Sequence, residues 1–259
     1  MSRRRASRGY DEKTGRVRTA LIGRRSMSGR RDGAAPAAAR WQRSGPFVYS
    51  LRVAVHVIRH PLVQDILLSL RDVSTEPDGF RRMAVRISVL LATEALRALP
   101  VKPATVMTPL GEASGQRVAT DVVVVPVLRA GLGMLDAVLE LVPGARVGHI
   151  GLQRDELTAV ASRYYAKLPP RLAESHVLMI DPMLATGGSA VEALDLLKEA
   201  GARRIQILCI VAAPEGIAYV ERHHPDVDIY TPVIDEGLNA RKFIVPGLGD
   251  FGDRLNGTL

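Results

Sequence analysis

Residues His176–Ser189 read HVLMIDPMLATGGS, and this stretch decides the fold. Its apolar run, Val177-Leu178-Met179-Ile180, shows no polar alternation, the pattern of a strand buried on both faces of a sheet. Asp181 ends the run, and a loop through Thr186, Gly187, Gly188 and Ser189 opens a helix that the spacing extends over Ser189–Ala200. In parallel sheets, ligands bind beyond the carboxyl ends of the strands. A glycine-rich loop at a helix start aims backbone N–H groups and a positive dipole end at an anion. The glycines let the backbone come close, and the hydroxyls of Thr186 and Ser189 add donors. Asp181, ahead of that cradle, is placed to accept hydrogen bonds from sugar hydroxyls. A carboxylate for ribose beside a cradle for phosphate describes a site for a phosphorylated sugar. Gly-Gly-Ser alone would be an ordinary strand-to-helix turn; the apolar run and the acid before it tip the reading.

On either side of this segment the pattern repeats. Four further runs read as strands: Asp121–Val127, Arg146–Leu152, Arg204–Val211 and Val227–Tyr230. Helical spacing covers Pro61–Arg71, Gly79–Leu99, Leu132–Leu141 and Pro214–His223. Apolar strands alternating with helices predict an α/β fold, a parallel sheet with helices on both faces. Thr105–Val118, with Pro109-Leu110-Gly111 inside it, reads as a β-hairpin. The polar stretch Gln153–Pro170 interrupts the alternation and is long enough for a functional flap.

Charge separates the chain into two parts. The 259 residues carry a formal +8, but residues 1–46 hold 13 Lys+Arg and 3 Asp+Glu, a net of +10, leaving −2 for the rest. The near-neutral body gives little electrostatic footprint for nucleic acid. Aromatics at 4% also leave few stacking platforms for single strands. No apolar run reaches the roughly 18–20 residues of a membrane helix. Residues 1–46, rich in Arg, Ser, Gly and Ala, are expected to form a disordered basic extension, with 47–259 as the folded domain. A solvated extension or an over-long start with Met27 as another start, a polyanion-binding arm and an organelle transit peptide are competing readings of that segment. The single cysteine, Cys209, is expected in the core, without a disulfide, in keeping with a cytoplasmic setting.

The segment DPMLATGGS resembles the phosphoribosyl pyrophosphate (PRPP) motif of the type I phosphoribosyltransferases, in the form of their uracil-specific branch. HPLV at His60–Val63, VPVLRAGLGM at Val125–Met134, IVAAPEGI at Ile210–Ile217 and the pair IDEGLN and FIVPGLGDFGDR within Ile234–Arg254 agree with it. The resemblance runs collinearly from His60 to Thr258. It implies a type I phosphoribosyltransferase-like sheet with a flap and a C-terminal base-recognition segment. The activity implied is transfer of 5-phosphoribose from PRPP to N1 of uracil, giving UMP and pyrophosphate, with Mg2+ carried by PRPP rather than by direct protein ligands.

The resemblance also assigns the site. Asp181, Pro182, Met183, Leu184, Ala185, Thr186, Gly187, Gly188 and Ser189 are expected to bind PRPP. Arg129 and the flap residue Arg154 are expected on its pyrophosphate, and Asp250 on its magnesium through water. Arg129, Arg154, Asp181 and Asp250 form the expected catalytic set. Ile244, Gly249, Asp250 and Phe251 are expected to hold uracil. There the Ile244 carbonyl meets N3–H, and the N–H groups of Gly249 and Phe251 meet the two carbonyls. The Phe251 ring is not expected to read the base, and truncating it to alanine is expected to cost about 1–2 kcal/mol. Leu157, Ala161, Thr93 and Asn256 depart from the family pattern. A homo-oligomer and a GTP effector are further implications. A pyrimidine-responsive RNA-binding regulator and a catalytically weak uracil-binding relative are the rival readings. A fused uridine kinase is excluded, because no G-x-x-x-x-G-K-[ST] loop occurs.

Overall fold

The structure is a computed structural model that describes residues 9–11, 16–18, 54–154 and 161–258. The chain divides into two units, Met1–Val48 and Tyr49–Leu259. In the first, β1 (Gly9–Asp11) pairs antiparallel with β2 (Arg16–Arg18), an element the sequence reading did not contain. Its other residues, and the disorder expected of them, lie outside the described residues.

The second unit begins with β3 (Val55–Val57), α1 (Pro61–Arg71), α2 (Pro77–Ala95) and the hairpin strands β4 (Val101–Thr108) and β5 (Gly111–Val118). Then come β6 (Val122–Leu128), α3 (Leu132–Leu141), β7 (Arg146–Val147), β8 (His149–Arg154), β9 (Ala161–Lys167) and β10 (His176–Ile180). Next are β11 (Met183–Leu184), α4 (Gly188–Glu199), β12 (Arg204–Leu208), β13 (Val211–Ala212) and α5 (Pro214–His223). The last elements are β14 (Asp228–Thr231), β15 (Gly237–Leu238), β16 (Ile244–Val245) and α6 (Phe251–Asn256). Among the described residues no helix is long and apolar enough to cross a membrane.

The central sheet runs β3-β14-β12-β10-β6-β8-β9, with β7 also beside β6. Every pairing is parallel except β8 with β9. Alternate residues of each strand face opposite sides. Val122, Val124, Leu178 and Ile180 pack under α1, α2, α3 and α6 with Leu70, Phe80, Ile87, Met134 and Phe251. Val123, Val125, Val177, Met179, Ile205 and Ile207 face α4 and α5 with Leu194, Leu197 and Val220. The continuous apolar runs are thereby explained, since both faces are dry.

Register brings the strand ends together: Ile180 stands opposite Pro126 on one side and Leu208 on the other. The turn after β6 then folds onto the end of β10. A Cβ on Gly131 would lie 2.5 Å from the Ile180 carbonyl oxygen and 2.7 Å from Val127 backbone atoms. Only glycine lets that turn sit there.

Several sequence boundaries change. The hairpin starts at Val101, not Thr105, and carries Pro103 within a strand. A two-stranded ribbon has free edges, where proline is tolerated. The run Arg204–Val211 splits into β12 and β13, because the backbone leaves the sheet at Cys209 and joins β11. Seven of the eighteen residues of the flap segment form β9, antiparallel to β8. The polar stretch is thus a strand pair whose tip, 155–160, lies outside the described residues.

Candidate active site

One cavity of about 320 Å³ opens at the carboxyl edge of the sheet, within the range of small-molecule sites. From the strand ends it is lined by Arg129, Asp181, Met183, Ala185 and Ser189. Opposite these it is lined by Ile244, Gly249, Asp250 and Phe251. The two motifs that sequence assigned to sugar phosphate and to base therefore share one space.

Arg129 follows a cis peptide after Leu128 and is exposed at the cavity. Asp181 is half-buried, with its N–H donating to the Leu208 carbonyl at 3.1 Å. Not every residue of the DPMLATGGS segment lines the cavity. The Pro182 carbonyl accepts from the N–H groups of Ile210 (2.9 Å) and Val211 (3.0 Å), and the Leu184 carbonyl from Ala213 at 2.9 Å. Pro182 and Leu184 are buried, and they hold the loop in place. Thr186, Gly187 and Gly188 also lie outside the lining. Gly187 adopts φ +84°, and a Cβ there would meet the Gly216 carbonyl of α5 at 2.8 Å. It precedes α4 with no side-chain cap on the helix start. The Thr186 hydroxyl accepts weakly from the Gly188 N–H at 3.4 Å.

The C-terminal half of the site is fastened to the first helix. Asp235, with a side chain 3% exposed, pairs with Arg71 of α1. Gly247, at φ +59°, donates its N–H to Asp235 Oδ2 at 2.8 Å and offers its carbonyl to Arg71 Nη1 at 2.9 Å. A Cβ on Gly247 would lie 2.2 Å from the Ile244 carbonyl oxygen, so glycine leaves that oxygen uncovered. The Phe243 and Val245 carbonyls accept from Asn239 and Glu236. Carbonyls alternate sides along a strand, so that of Ile244 points away from this ladder.

Asp250 caps α6, accepting from the Asp253 N–H at 2.9 Å. Arg254 reaches back from α6 to the carbonyls of Leu70, Leu248 (2.9 Å) and Asp72 (2.5 Å), closing the C-terminal end of α1. Its guanidinium also lies 4.5 Å over the Phe80 ring. The Phe251 ring packs against α2 and α3. It is 1% exposed, sits edge-on to Phe80 at 5.1 Å, and packs against Gly133. This ring belongs to the core, and only the rest of the residue can meet a ligand.

Sequence reading missed Leu152, Arg241 and Lys242, which also line the cavity. An Arg-Lys pair directly before the base motif was the available signal. Of Arg154 the structure describes the backbone, at the end of β8; Leu157 lies outside the described residues. Cys209 is fully buried, and burial pushes its thiol up to about 12, so it supplies no nucleophile. Among the described residues no cluster of three or more His, Cys, Asp or Glu could hold a metal ion.

Sheet, loop and facing C-terminal segment together form a type I phosphoribosyltransferase fold. The family model for uracil phosphoribosyltransferase matches residues 57–258, and the chain belongs to that family. It is 50% identical over 205 residues to the uracil phosphoribosyltransferase of Shouchella clausii, covering 79% of this chain and 98% of that protein. It is 52% identical over 205 residues to that of Symbiobacterium thermophilum, with the same coverage. Among solved structures, the AQ2163 protein from Aquifex aeolicus superposes with a TM-score of 0.75 at 35% identity, covering 78% of this chain and 97% of that one.

Proposed function

We propose that this cavity transfers the 5-phosphoribosyl group of PRPP to N1 of uracil, releasing pyrophosphate and leaving UMP. The observation that carries this reading is the meeting of Arg129, Asp181 and Ser189 with the Ile244–Phe251 segment around one space. Asp181 accepts hydrogen bonds from the ribose hydroxyls. Ser189 and the uncapped start of α4 bind the 5-phosphate. Arg129, with Arg154 brought in by the flap, stabilises the charge that gathers on pyrophosphate as the C1–O bond breaks. Flap closure keeps water from the activated sugar.

Uracil is held by hydrogen bonds of fixed polarity. The Ile244 carbonyl accepts from N3–H, while Gly249 and Phe251 donate their N–H groups to the carbonyls. Cytosine presents an acceptor and a donor where two of these contacts need the reverse. Asp181 and Asp250 are the acids on the cavity, a donor set suited to a magnesium ion that keeps its waters and is shared with substrate phosphates. Such an ion would neutralise pyrophosphate charge. Asp250, whose Oδ1 caps α6, would hold such an ion through water.

A homo-oligomer is part of this reading. The β4–β5 hairpin pairs with itself through eight residues of each strand, yet leaves Met107 76% and Leu110 99% exposed. An isolated two-stranded ribbon is marginal in water, and a second copy would cover it. A cytoplasmic location completes the proposal. The decisive experiment is UMP formation from uracil, PRPP and magnesium. Absence of UMP would overturn the reading, and so would comparable rates with cytosine, since polarity of this kind rejects the wrong base by roughly 10⁴-fold.

A further inference from the structure

Transfer to N1 of uracil requires loss of the N1 proton, and among the described residues lining the cavity there is no histidine to take it. The described titratable lining consists of Arg129, Asp181, Asp250, Arg241 and Lys242. Asp250 is engaged in capping α6. Asp181 stands at the carboxyl end of β10, on the sugar-phosphate side. Glu215, the nearest acid from α5 to the segment carrying Arg241, is bonded to the Leu238 N–H at 3.2 Å. Arg254 is turned away into carbonyls at the end of α1.

The turn carrying Arg241 and Lys242 is built with care. Asn239 accepts through Oδ1 from the N–H groups of Arg241 (2.9 Å) and Phe243 (3.1 Å). The Lys242 N–H donates to the Asn239 carbonyl at 2.9 Å, and Lys242 itself takes φ +66°. A lysine in the left-handed region carries a conformational cost, which the Asn239 bonds offset. Among the described residues neither cationic side chain has an ion-pair or hydrogen-bond partner. A held backbone turn thus places two exposed cationic residues at the cavity lining immediately before Phe243 and Ile244.

We propose that Arg241 and Lys242 make this cavity bind uracil as its N1 anion, so that the base is ionised by electrostatics rather than by a proton-accepting side chain. The inference rests on the reading of the cavity given above. The N1–H bond breaks before transfer, and its proton leaves to solvent. The N1 electron pair then forms the bond to C1 of the ribose, while the C1–O bond breaks with its pair leaving on pyrophosphate. Atoms and charges balance with no further reactant. An opposite charge within about 4–6 Å moves an ionisation by one to three units. The two cations are positioning residues in this scheme, since they act on the base's ionisation and accept no proton.

The test is the pH profile of uracil-limited kcat/KM for the full chain and for the double variant Arg241→Gln, Lys242→Gln. 5-Fluorouracil, whose ring proton is more acidic, serves as the second base. In the variant the rising limb with uracil is expected to move up by about 1–2 pH units, with a roughly 10–100-fold loss at neutral pH. The loss with 5-fluorouracil is smaller, the KM for PRPP stays within about twofold, and Arg241→Lys with Lys242→Arg restores the limb. An unmoved limb, equal losses with both bases, or a loss confined to the KM for PRPP overturns the proposal. Formation of no UMP by the unaltered chain overturns the site reading as well, so the two failures are distinguishable.

Discussion

Arg71 and Asp235, 164 residues apart, meet in a two-pronged ion pair at 2.6 and 3.0 Å, and both hold the backbone of Gly247. The C-terminal segment that lines the cavity is therefore anchored to the first helix of the domain. Arg71→Leu leaves the nearly buried Asp235 carboxylate without its partner. The expected cost is about 3 kcal/mol, the low end for a broken buried pair, because the Arg71 side chain is 19% exposed. Urea unfolding measures it. Uracil KM should rise well beyond any change for PRPP, and equal changes for the two substrates would detach this pair from the base segment.

Asp181→Asn and Arg129→Ala should each lower kcat/KM severely while leaving the melting temperature within a degree or two. Neither side chain is part of the core, and both line the cavity. Losing one charge-assisted contact to a developing charge commonly costs about 3–4 kcal/mol in the barrier. A variant that keeps near-normal turnover would remove that residue from the site.

Phe251→Ala is now expected to act on stability. Truncating a buried phenylalanine costs about 3–5 kcal/mol, and here it also empties the space between Phe80 and Gly133. Phe251→Leu keeps most of the volume and should retain more of the stability. Denaturant midpoints for the two variants decide the matter. If alanine unfolds no earlier than leucine, the ring is not carrying the packing described.

Mild acid should weaken the fold through two histidines. Burial holds the imidazoles of His176 and His224 below the usual histidine range. Gln206, bonded to His176 at 2.8 Å, and Asp195, 3.2 Å from His224, only partly oppose it. The unfolded chain binds protons at these rings near pH 6.5, where the folded chain does not. Their contribution is thus full above about pH 6.5 and is lost as pH falls through the folded values. Melting temperature should drop between pH 7.5 and 5.5. In the double variant His176→Gln, His224→Gln the drop should be shallower; an identical slope would place the sensitive groups elsewhere.

Much of this was legible in the sequence for identifiable reasons. Pro61 and Pro214 mark the starts of α1 and α5, and the dry run Val177–Ile180 marks β10 without ambiguity. Asp181 and Asp250 were brought to one site by the family resemblance, and both line the cavity. Other features gave no periodic signal. β3 is three residues long and gains its identity only from pairing with β14. α6 opens on Phe-Gly, and its cap from Asp250 to Asp253 was hidden within an apparent glycine loop. The Phe251 ring could not be placed before α2 and α3 were known to pack around it. Arg241 and Lys242 belong to no motif that the sequence reading singled out, and only the folded chain puts them at the cavity.

Arg254 grips the carbonyls of Leu70 and Asp72, more than 180 residues earlier in the chain. During synthesis, which proceeds at about 5–20 residues per second, α1 waits on the order of ten seconds for that partner to emerge. Through this interval the residues of the cavity's C-terminal side are not yet made. A ribosome-bound fragment ending before residue 235 would carry Arg129, Asp181 and Ser189 without the segment Ile244–Phe251. The cavity lined by Arg129 and Asp181 is completed only by residues 241–252, among the last of the chain to be made.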